Sequence, residues 1–285
     1  MKGMKSVWKL VLVLGVLWHS GGAFSKSGYI FGITPWDKPD KLKAMWQPMM
    51  DHLAKELGTE CKILVTQDYP GLTKAVQRKT VDFALYSPKA YVSATKIIPE
   101  LKYMVTALTV NDDGKVVDNY KGLVVATKNS NIKSFSDIKG KRFAFTDKES
   151  SSGFAYPESR LRKHGIDYTQ YFSKVLFLKK HQRVMGALAS NSIDVGATWD
   201  GAYKNGVKKY GAKFIIIDSV PIPNDPIAAA PHVPAEVVGK VQSILLSQKK
   251  DGPVMKAMAK NGYPDVGYSR RSDSFYDVVR GLSKK

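Results

Sequence analysis

The sequence predicts an α/β protein of two lobes, with mostly parallel sheets and two hinge strands that cross between the lobes. Short β-rich runs alternate with stretches whose apolar residues recur at helical spacing, which is typical of parallel strands joined by crossover helices. This alternation breaks twice, at residues 111–119 and 219–226, and we interpret each break as a crossing. A chain of 285 residues is long enough for both lobes.

Nine runs are predicted as strands. In chain order they are "YIFGIT", "CKILVT", "VDFALY" and "LKYMVTALTV" before the first break, and "YKGLVVAT", "KRFAFTD", "SKVLFL", "SIDVGAT" and "KFIIID" after it. Helical spacing marks "KLKAMWQPMMDHLAKELG", which ends in a glycine stop signal, and "GLTKAVQRKT". The C-terminal stretch is also helical and needs a surface to cover. We therefore predict that residues 25–117 and 222–285 form lobe 1 and that residues 118–221 form lobe 2.

The first 24 residues predict a secretory signal peptide and so a periplasmic location. The basic "MKGMKSVWK" precedes the apolar "LVLVLGVLW" and the small residues of "HSGGAFS". The apolar run is short for a membrane span, although a tethering helix is the alternative.

Composition narrows the class of function. The net charge of +19 favours anionic partners, but the lysines are spread along the chain and no nucleic-acid signature is present, so no nucleic-acid partner is expected. Cys61 is the only cysteine, which excludes an intramolecular disulfide. The five histidines are scattered and no G-x-S-x-G motif occurs, so we predict neither a metal site, nor a cofactor, nor an enzyme.

The segment "DKESSSGFAYP", residues 147–157, is the strongest candidate for a binding site. Ser150, Ser151 and Ser152 follow a predicted strand and precede a helix predicted to begin near Gly153. Free backbone N–H groups and the positive end of the helix dipole favour an oxyanion there, and serine hydroxyls add donors that can rotate. A flexible linker and an ordinary helix N-cap are the alternatives, but an N-cap needs only one serine.

Residues 28 to about 265 resemble the phosphonate-, phosphite- and phosphate-binding components of ABC importers. The blocks that carry the resemblance are, in order, "FGITPWDKPDKLKAMWQPMMDHLAKELG", "TQDYPGLTKAVQRKTVDFALYSPKAY", "DKESSSGFAYP", "HQRVMGALASNSIDVGATWDGAY" and "IPNDP". The resemblance implies a type II-like periplasmic solute-binding protein that closes over a phosphorus oxyanion and delivers it to an ABC transporter permease. We expect a monomer. The alternative is an oxyanion sensor that presents its ligand state to a membrane histidine kinase.

The resemblance also implies hydrogen-bond donors to the ligand. His181 matches a histidine that donates to the ligand's oxygens, and its alternative is an exposed helix cap. Tyr69 and Tyr120 match tyrosines whose hydroxyls reach the phosphonate, and core packing is the alternative for each. His181 would give binding a pH dependence between about 5 and 8, where imidazole usually titrates.

The remaining candidates concern the ligand's fourth substituent. Asp200 and Asp225 match acidic positions that face an ammonium in relatives that take aminoalkyl phosphonates; either could instead accept a proton from the ligand, and Asp225 could cap the hinge turn. Trp36 either stacks on an organic substituent or packs under the first helix. Tyr86 is expected to form part of the cleft wall.

Overall fold

The computed structural model describes residues 28–282, so the predicted signal peptide lies outside the described residues. The strands are β1 (Gly28–Ile33), β2 (Glu60–Val65), β3 (Phe83–Leu85), β4 (Lys102–Val110), β5 (Val116–Val117), β6 (Asn119–Thr127), β7 (Arg142–Phe145), β8 (Lys174–Phe177), β9 (Val195–Trp199), β10 (Phe214–Pro223), β11 (Pro226–Ala229) and β12 (Gly267–Ser269). The α-helices are α1 (Pro39–Leu57), α2 (Tyr69–Gln77), α3 (Pro88–Ile97), α4 (Tyr156–Lys163), α5 (Tyr168–Tyr171), α6 (His181–Ala189), α7 (Asp200–Tyr210), α8 (Ala235–Leu246), α9 (Pro253–Lys260) and α10 (Asp277–Gly281).

Two separate sheets form the framework, and each of the nine predicted runs overlaps one of their strands. The first sheet has the order β12-β4-β11-β3-β1-β2, with β5 paired to β4. The second has the order β10-β6-β9-β7-β8. Separate apolar cores pack against the first sheet and against the two faces of the second. The predicted α/β architecture with two sheets is confirmed.

Both sheets are mixed, which corrects the prediction of mostly parallel strands. β1 is parallel to β2 and β3, and β7 is parallel to β8 and β9. In contrast, β6 is antiparallel to β9 and β10, and β11 is antiparallel to β3 and β4. The chain that returns from the second sheet enters the middle of the first as β11, so it runs against its neighbours.

The two crossings between the sheets lie side by side. At the start of β6 and the end of β10, Asn119 pairs with Pro223. Beyond this pair, the backbone N–H of Asn224 donates to the carbonyl oxygen of Asp118 at 2.8 Å. The hinge therefore consists of two hydrogen-bonded segments, and Asp225 follows directly after the second one.

The helix α1 shows why the local sequence folds as it does. Its buried residues follow the three- and four-residue spacing of one helix face: Leu42, Met45, Trp46, Met49, Met50 and Leu53. Pro39 opens the helix, where a missing N–H costs nothing, and Gly58 ends it in the left-handed conformation at φ 67°. Among residues 28–282, no helix is long and apolar enough to cross a bilayer.

Candidate ligand-binding site

A cavity of about 70 Å³ lies between the two sheets, beside the crossings. It is lined by seven of the ten residues that the sequence predicted: Trp36, Tyr69, Tyr120, Ser150, Ser152, His181 and Asp225. Contributions from β6, from the segment after β7 and from α6 meet those from α2 and from the end of β10. Residues far apart in the sequence therefore line the same cavity.

The serine segment forms the turn that leads into α4. Residues Ser151–Ala155 form a single π-helical turn, so the helical backbone starts two residues earlier than predicted. Ser150 is its N-cap, and the Ser150 hydroxyl oxygen accepts from the Gly153 N–H at 3.1 Å. Ser150 and Ser152 are buried and line the cavity. π-turns are rare in proteins and frequent at functional sites.

Gly153 is needed for packing at the end of β7. A Cβ at this position would lie 1.7 Å from the Thr146 side-chain oxygen. The Thr146 N–H also donates to the Gly153 carbonyl oxygen at 3.1 Å. The missing side chain thus lets the turn lie directly on the strand end, which fixes the direction of the serines beside it.

Two tyrosine hydroxyls lie beside the serines. The Tyr69 hydroxyl is near Ser150, and the Tyr120 hydroxyl is near Ser152. Burial raises the pKa of both phenols above its ordinary value, so both stay protonated and can donate hydrogen bonds.

His181 is the first residue of α6 and is 3% exposed. Its Nδ1 lies 3.2 Å from the Thr198 hydroxyl oxygen. Burial lowers the pKa of the imidazole to about 3, so the ring is neutral between pH 5 and 8. The histidine is a buried cavity residue and not an exposed cap. The expectation of a pH dependence from its ordinary titration is therefore not supported by its surroundings.

Ser151 lies outside the cavity lining and joins the two lobes. Its hydroxyl oxygen accepts from the backbone N–H of Lys89, at the start of α3, at 2.8 Å. Next to it, the Ser87 hydroxyl donates to the carbonyl oxygen of Glu149 at 2.9 Å. Ser150 and Ser152 therefore line the cavity, whereas Ser151 connects the turn to α3 by a hydrogen bond.

Tyr86 also lies outside the lining, because of strand alternation. Successive side chains of an extended chain point to opposite sides. Leu85 and Ser87 line the cavity, whereas Tyr86 is fully buried on the other side, with its ring centroid 6.4 Å from that of Tyr91. The predicted wall position therefore belongs to its two neighbours.

Asp200 lies in a neighbouring groove and not in the cavity. It opens α7, where its carboxylate accepts from the Gly201 N–H at 3.1 Å. Lys121 and Lys204 line the same groove. The preceding residue, Trp199, is the one that reaches the cavity, where it meets Trp36 edge to face at 5.9 Å.

The sequence reasoning missed several lining residues, of which the most relevant are Thr34, Ser87, Thr109, Trp199, Tyr263 and Asp265. Asp265 is the important omission, since it places a second carboxyl group in the cavity with Asp225. Burial raises the pKa of Asp225 well above its ordinary value, and Asp265 raises it further. Burial also raises the pKa of Asp265, to about 7. Asp265 follows two helices and belongs to no recognisable motif, so the sequence offered no signal for it.

The cavity combines hydroxyl donors with two carboxyl groups, and Asp225 is close enough to Tyr69 and Tyr120 to raise the pKa of both phenols. Among residues 28–282, no group of three or more His, Cys, Asp and Glu side chains is arranged to hold a metal ion. Several neutral donors lining one cavity suit a small tetrahedral oxyanion.

Comparison with known proteins identifies the family. A family model described as the periplasmic substrate-binding protein of phosphonate ABC transporters matches residues 31–272. The chain belongs to this family. The prediction of a binding protein, and not an enzyme, is thereby confirmed, and the family is periplasmic.

Individual relatives agree with this assignment. The phosphate-import protein PhnD of Mycolicibacterium smegmatis is 27% identical over 173 residues, which cover 58% of this chain and 53% of the relative. The phosphonates-binding periplasmic protein of Escherichia coli is 25% identical over 229 residues, or 77% of this chain and 66% of the relative. The chain thus spans between about half and two thirds of these curated relatives.

A solved structure supports the fold. PhnD1 from Prochlorococcus marinus, in complex with methylphosphonate, superposes with a TM-score of 0.81 at 18% identity. The match covers 90% of this chain and 97% of that chain.

Proposed function

We propose that this protein captures a small phosphorus oxyanion (phosphate, phosphite or a short phosphonate) by closing two lobes over it, and delivers it to an ABC permease. The observation that carries the proposal is the ring of neutral donors in the cavity: the Ser150 and Ser152 hydroxyls, the tyrosine hydroxyls of Tyr69 and Tyr120, and the His181 imidazole. Relatives named for phosphate import and phosphonate binding support the same class of ligand.

The size of the cavity favours the smaller of the candidate ligands. A water molecule needs roughly 10–15 Å³ of such volume. The 70 Å³ of the cavity therefore correspond to about five to seven water-sized positions. Phosphate, phosphite and methylphosphonate fit this space, whereas 2-aminoethylphosphonate has two more non-hydrogen atoms than phosphate or methylphosphonate, and three more than phosphite, and leaves little room to spare. We propose the smaller anions as the preferred ligands.

The two crossings between the sheets provide a hinge about which the two lobes would close. The proposed lobes are residues 25–117 with 222–285, and residues 118–221, with the signal peptide in residues 1–24 removed on export. Hinged closure around a ligand is an established motion for two-lobed binding proteins. We propose that the protein acts as a monomer, which light scattering coupled to size-exclusion chromatography would test.

Calorimetric titration with phosphate, phosphite, methylphosphonate and 2-aminoethylphosphonate tests the ligand class. Ser150→Ala and Ser152→Ala should each weaken binding by about 1.5–3 kcal/mol, the usual range for hydrogen bonds to a charged group. Ser243→Ala, at an exposed position on α8, is the matched control and should bind as wild type does. Wild-type affinity in both cavity variants would refute the role of the serine turn.

Cellular uptake separates transport from sensing. Loss of labelled phosphonate or phosphate uptake after deletion of the gene would support delivery to a permease. Unchanged uptake together with a changed transcriptional response would support the sensor instead.

A further inference from the structure

Two carboxyl groups share the cavity without a cation to neutralise them. Asp225 lies at the hinge between β10 and β11, and Asp265 lies between α9 and β12. Among residues 28–282, neither a lysine nor an arginine lines the cavity. Within the same residues, no hydrogen-bond donor reaches the Asp225 carboxyl group. This is an unusual environment for an anion site in a chain of net charge +19.

With no lysine or arginine beside them in the cavity, Asp225 and Asp265 lose their negative charge only by protonation. A buried carboxylate without a partner is costly, and a second carboxylate or an incoming oxyanion in the same space raises that cost. A carboxylic acid, in contrast, can donate its proton to an oxyanion, and a carboxylate can accept one from a P–OH group.

We propose that Asp265 is a further ligand contact, and that Asp225 and Asp265 hold a proton in common with the bound oxyanion, so that ligand binding is coupled to proton uptake. This inference rests on the proposed function. When the ligand arrives with a proton of its own, that proton is shared with the pair. When the ligand arrives fully ionised, the solvent supplies the proton to the carboxyl pair.

The surroundings leave only the pair to titrate near neutral pH. The other titratable groups around it are Tyr69, Tyr120, Tyr263, Tyr268, Tyr276 and His181. Burial raises the pKa of each tyrosine, which keeps the phenols protonated. Burial lowers the pKa of His181 to about 3, which keeps the imidazole neutral. The pKa of Asp265, raised to about 7, places the transition in an accessible range.

Calorimetry in two buffers of different ionisation enthalpy measures this coupling. At pH 8.5, phosphite is fully ionised, and we expect the wild-type protein to take up about one proton from the buffer for each phosphite bound. Its affinity should also fall by about tenfold per pH unit above pH 7, since one proton is required for each ligand bound. In Asp265→Asn the amide donates without a proton from solvent, so proton uptake should fall toward zero and the affinity should change less than about threefold over the same range. Asp251→Asn removes an exposed carboxylate and should behave as wild type.

The outcomes separate this inference from the proposed function. Phosphite binding by the wild-type protein without proton uptake would overturn the inference while the binding function stands, and so would undiminished uptake in Asp265→Asn. No binding of any phosphorus oxyanion would overturn both. The wild-type measurement decides on its own if the variant fails to fold, and Asp225→Asn gives a second test of the pair.

Discussion

The close contact between Gly153 and Thr146 predicts that Gly153→Ala destabilises the protein, and Gly239→Ala serves as the control. In Gly153→Ala, the added Cβ would lie 1.7 Å from the Thr146 side-chain oxygen and 2.7 and 2.8 Å from its two carbon atoms. All three distances are shorter than real side-chain contacts, and Thr146 directly follows β7, where its backbone N–H and carbonyl oxygen are both hydrogen-bonded. Overpacking of this kind typically costs about 1–3 kcal/mol of unfolding free energy.

The same substitution at Gly239 should have the opposite sign. Gly239 lies within α8, and a Cβ there would meet nothing within 4 Å. Alanine is about 0.5–1 kcal/mol better than glycine inside a helix, so Gly239→Ala should stabilise the protein by that amount.

Urea unfolding of both variants measures the two effects. Thr146→Ala removes two of the three clashing atoms, so it should recover part of the loss in the double variant with Gly153→Ala. Ligand affinity should fall in Gly153→Ala as well, because the turn that carries Ser152 has to move. Equal stability changes in the two glycine variants would refute the packing argument, since helix propensity alone would then account for both.

Two further predictions follow from the site. The folded-state pKa of Asp265 is raised from 3.8 to about 7, so its contribution to stability is present below pH 4 and is lost as the pH rises through 7. Asp265→Asn should therefore match wild type only near pH 3.5, and its advantage in unfolding free energy should grow between about pH 4 and pH 7, to about 1–4 kcal/mol at pH 8.5 in urea unfolding; an identical pH profile would contradict the raised pKa. Ser151→Ala leaves the buried N–H of Lys89 without an acceptor only when the lobes are closed, so ligand affinity should weaken by about 1–3 kcal/mol while small-angle scattering shows a more open unliganded protein. Wild-type affinity in this variant would show that the contact does not hold the closed form.

The sequence was informative where function depends on local chemistry. A serine-rich turn between a strand and a helix is recognisable because the residues that bind lie next to one another, and His181 is recognisable because it opens a helix after a strand. β11, Pro226–Ala229, was missed because it is only four residues long and contains a proline and two alanines, which do not favour a strand. Its place in the middle of the first sheet depends on tertiary pairing.

Two predicted site residues lie outside the cavity for a related reason: the direction of a side chain is not evident from a motif alone. Tyr86 and Asp200 each stand one residue from a side chain that lines the cavity, and a shift of one position in an extended chain reverses the direction of the side chain. A motif fixes the segment, but the orientation depends on which residue ends the strand. Asp265 could not be found in this way, since it reaches the cavity only through the packing of the C-terminal segment against β4.

That C-terminal segment links the acidic wall of the cavity to the hinge. The Tyr276 hydroxyl donates to the carbonyl oxygen of Asn224 at 2.9 Å, and the Arg271 guanidinium binds the Asp118 carboxylate at 2.6 Å. Both partners lie on the crossings, so the C-terminal segment is held to both of them. In the proposed division into lobes, both carboxyl groups belong to lobe 1, whereas the serine donors and His181 belong to lobe 2. The Tyr263 hydroxyl is a hydrogen-bond partner of Asp265, whereas no donor among residues 28–282 reaches the Asp225 carboxyl group, so we expect a protonated oxyanion to supply what Asp225 lacks. We therefore expect the ligand, and not the cavity alone, to favour the proposed closure of the lobes.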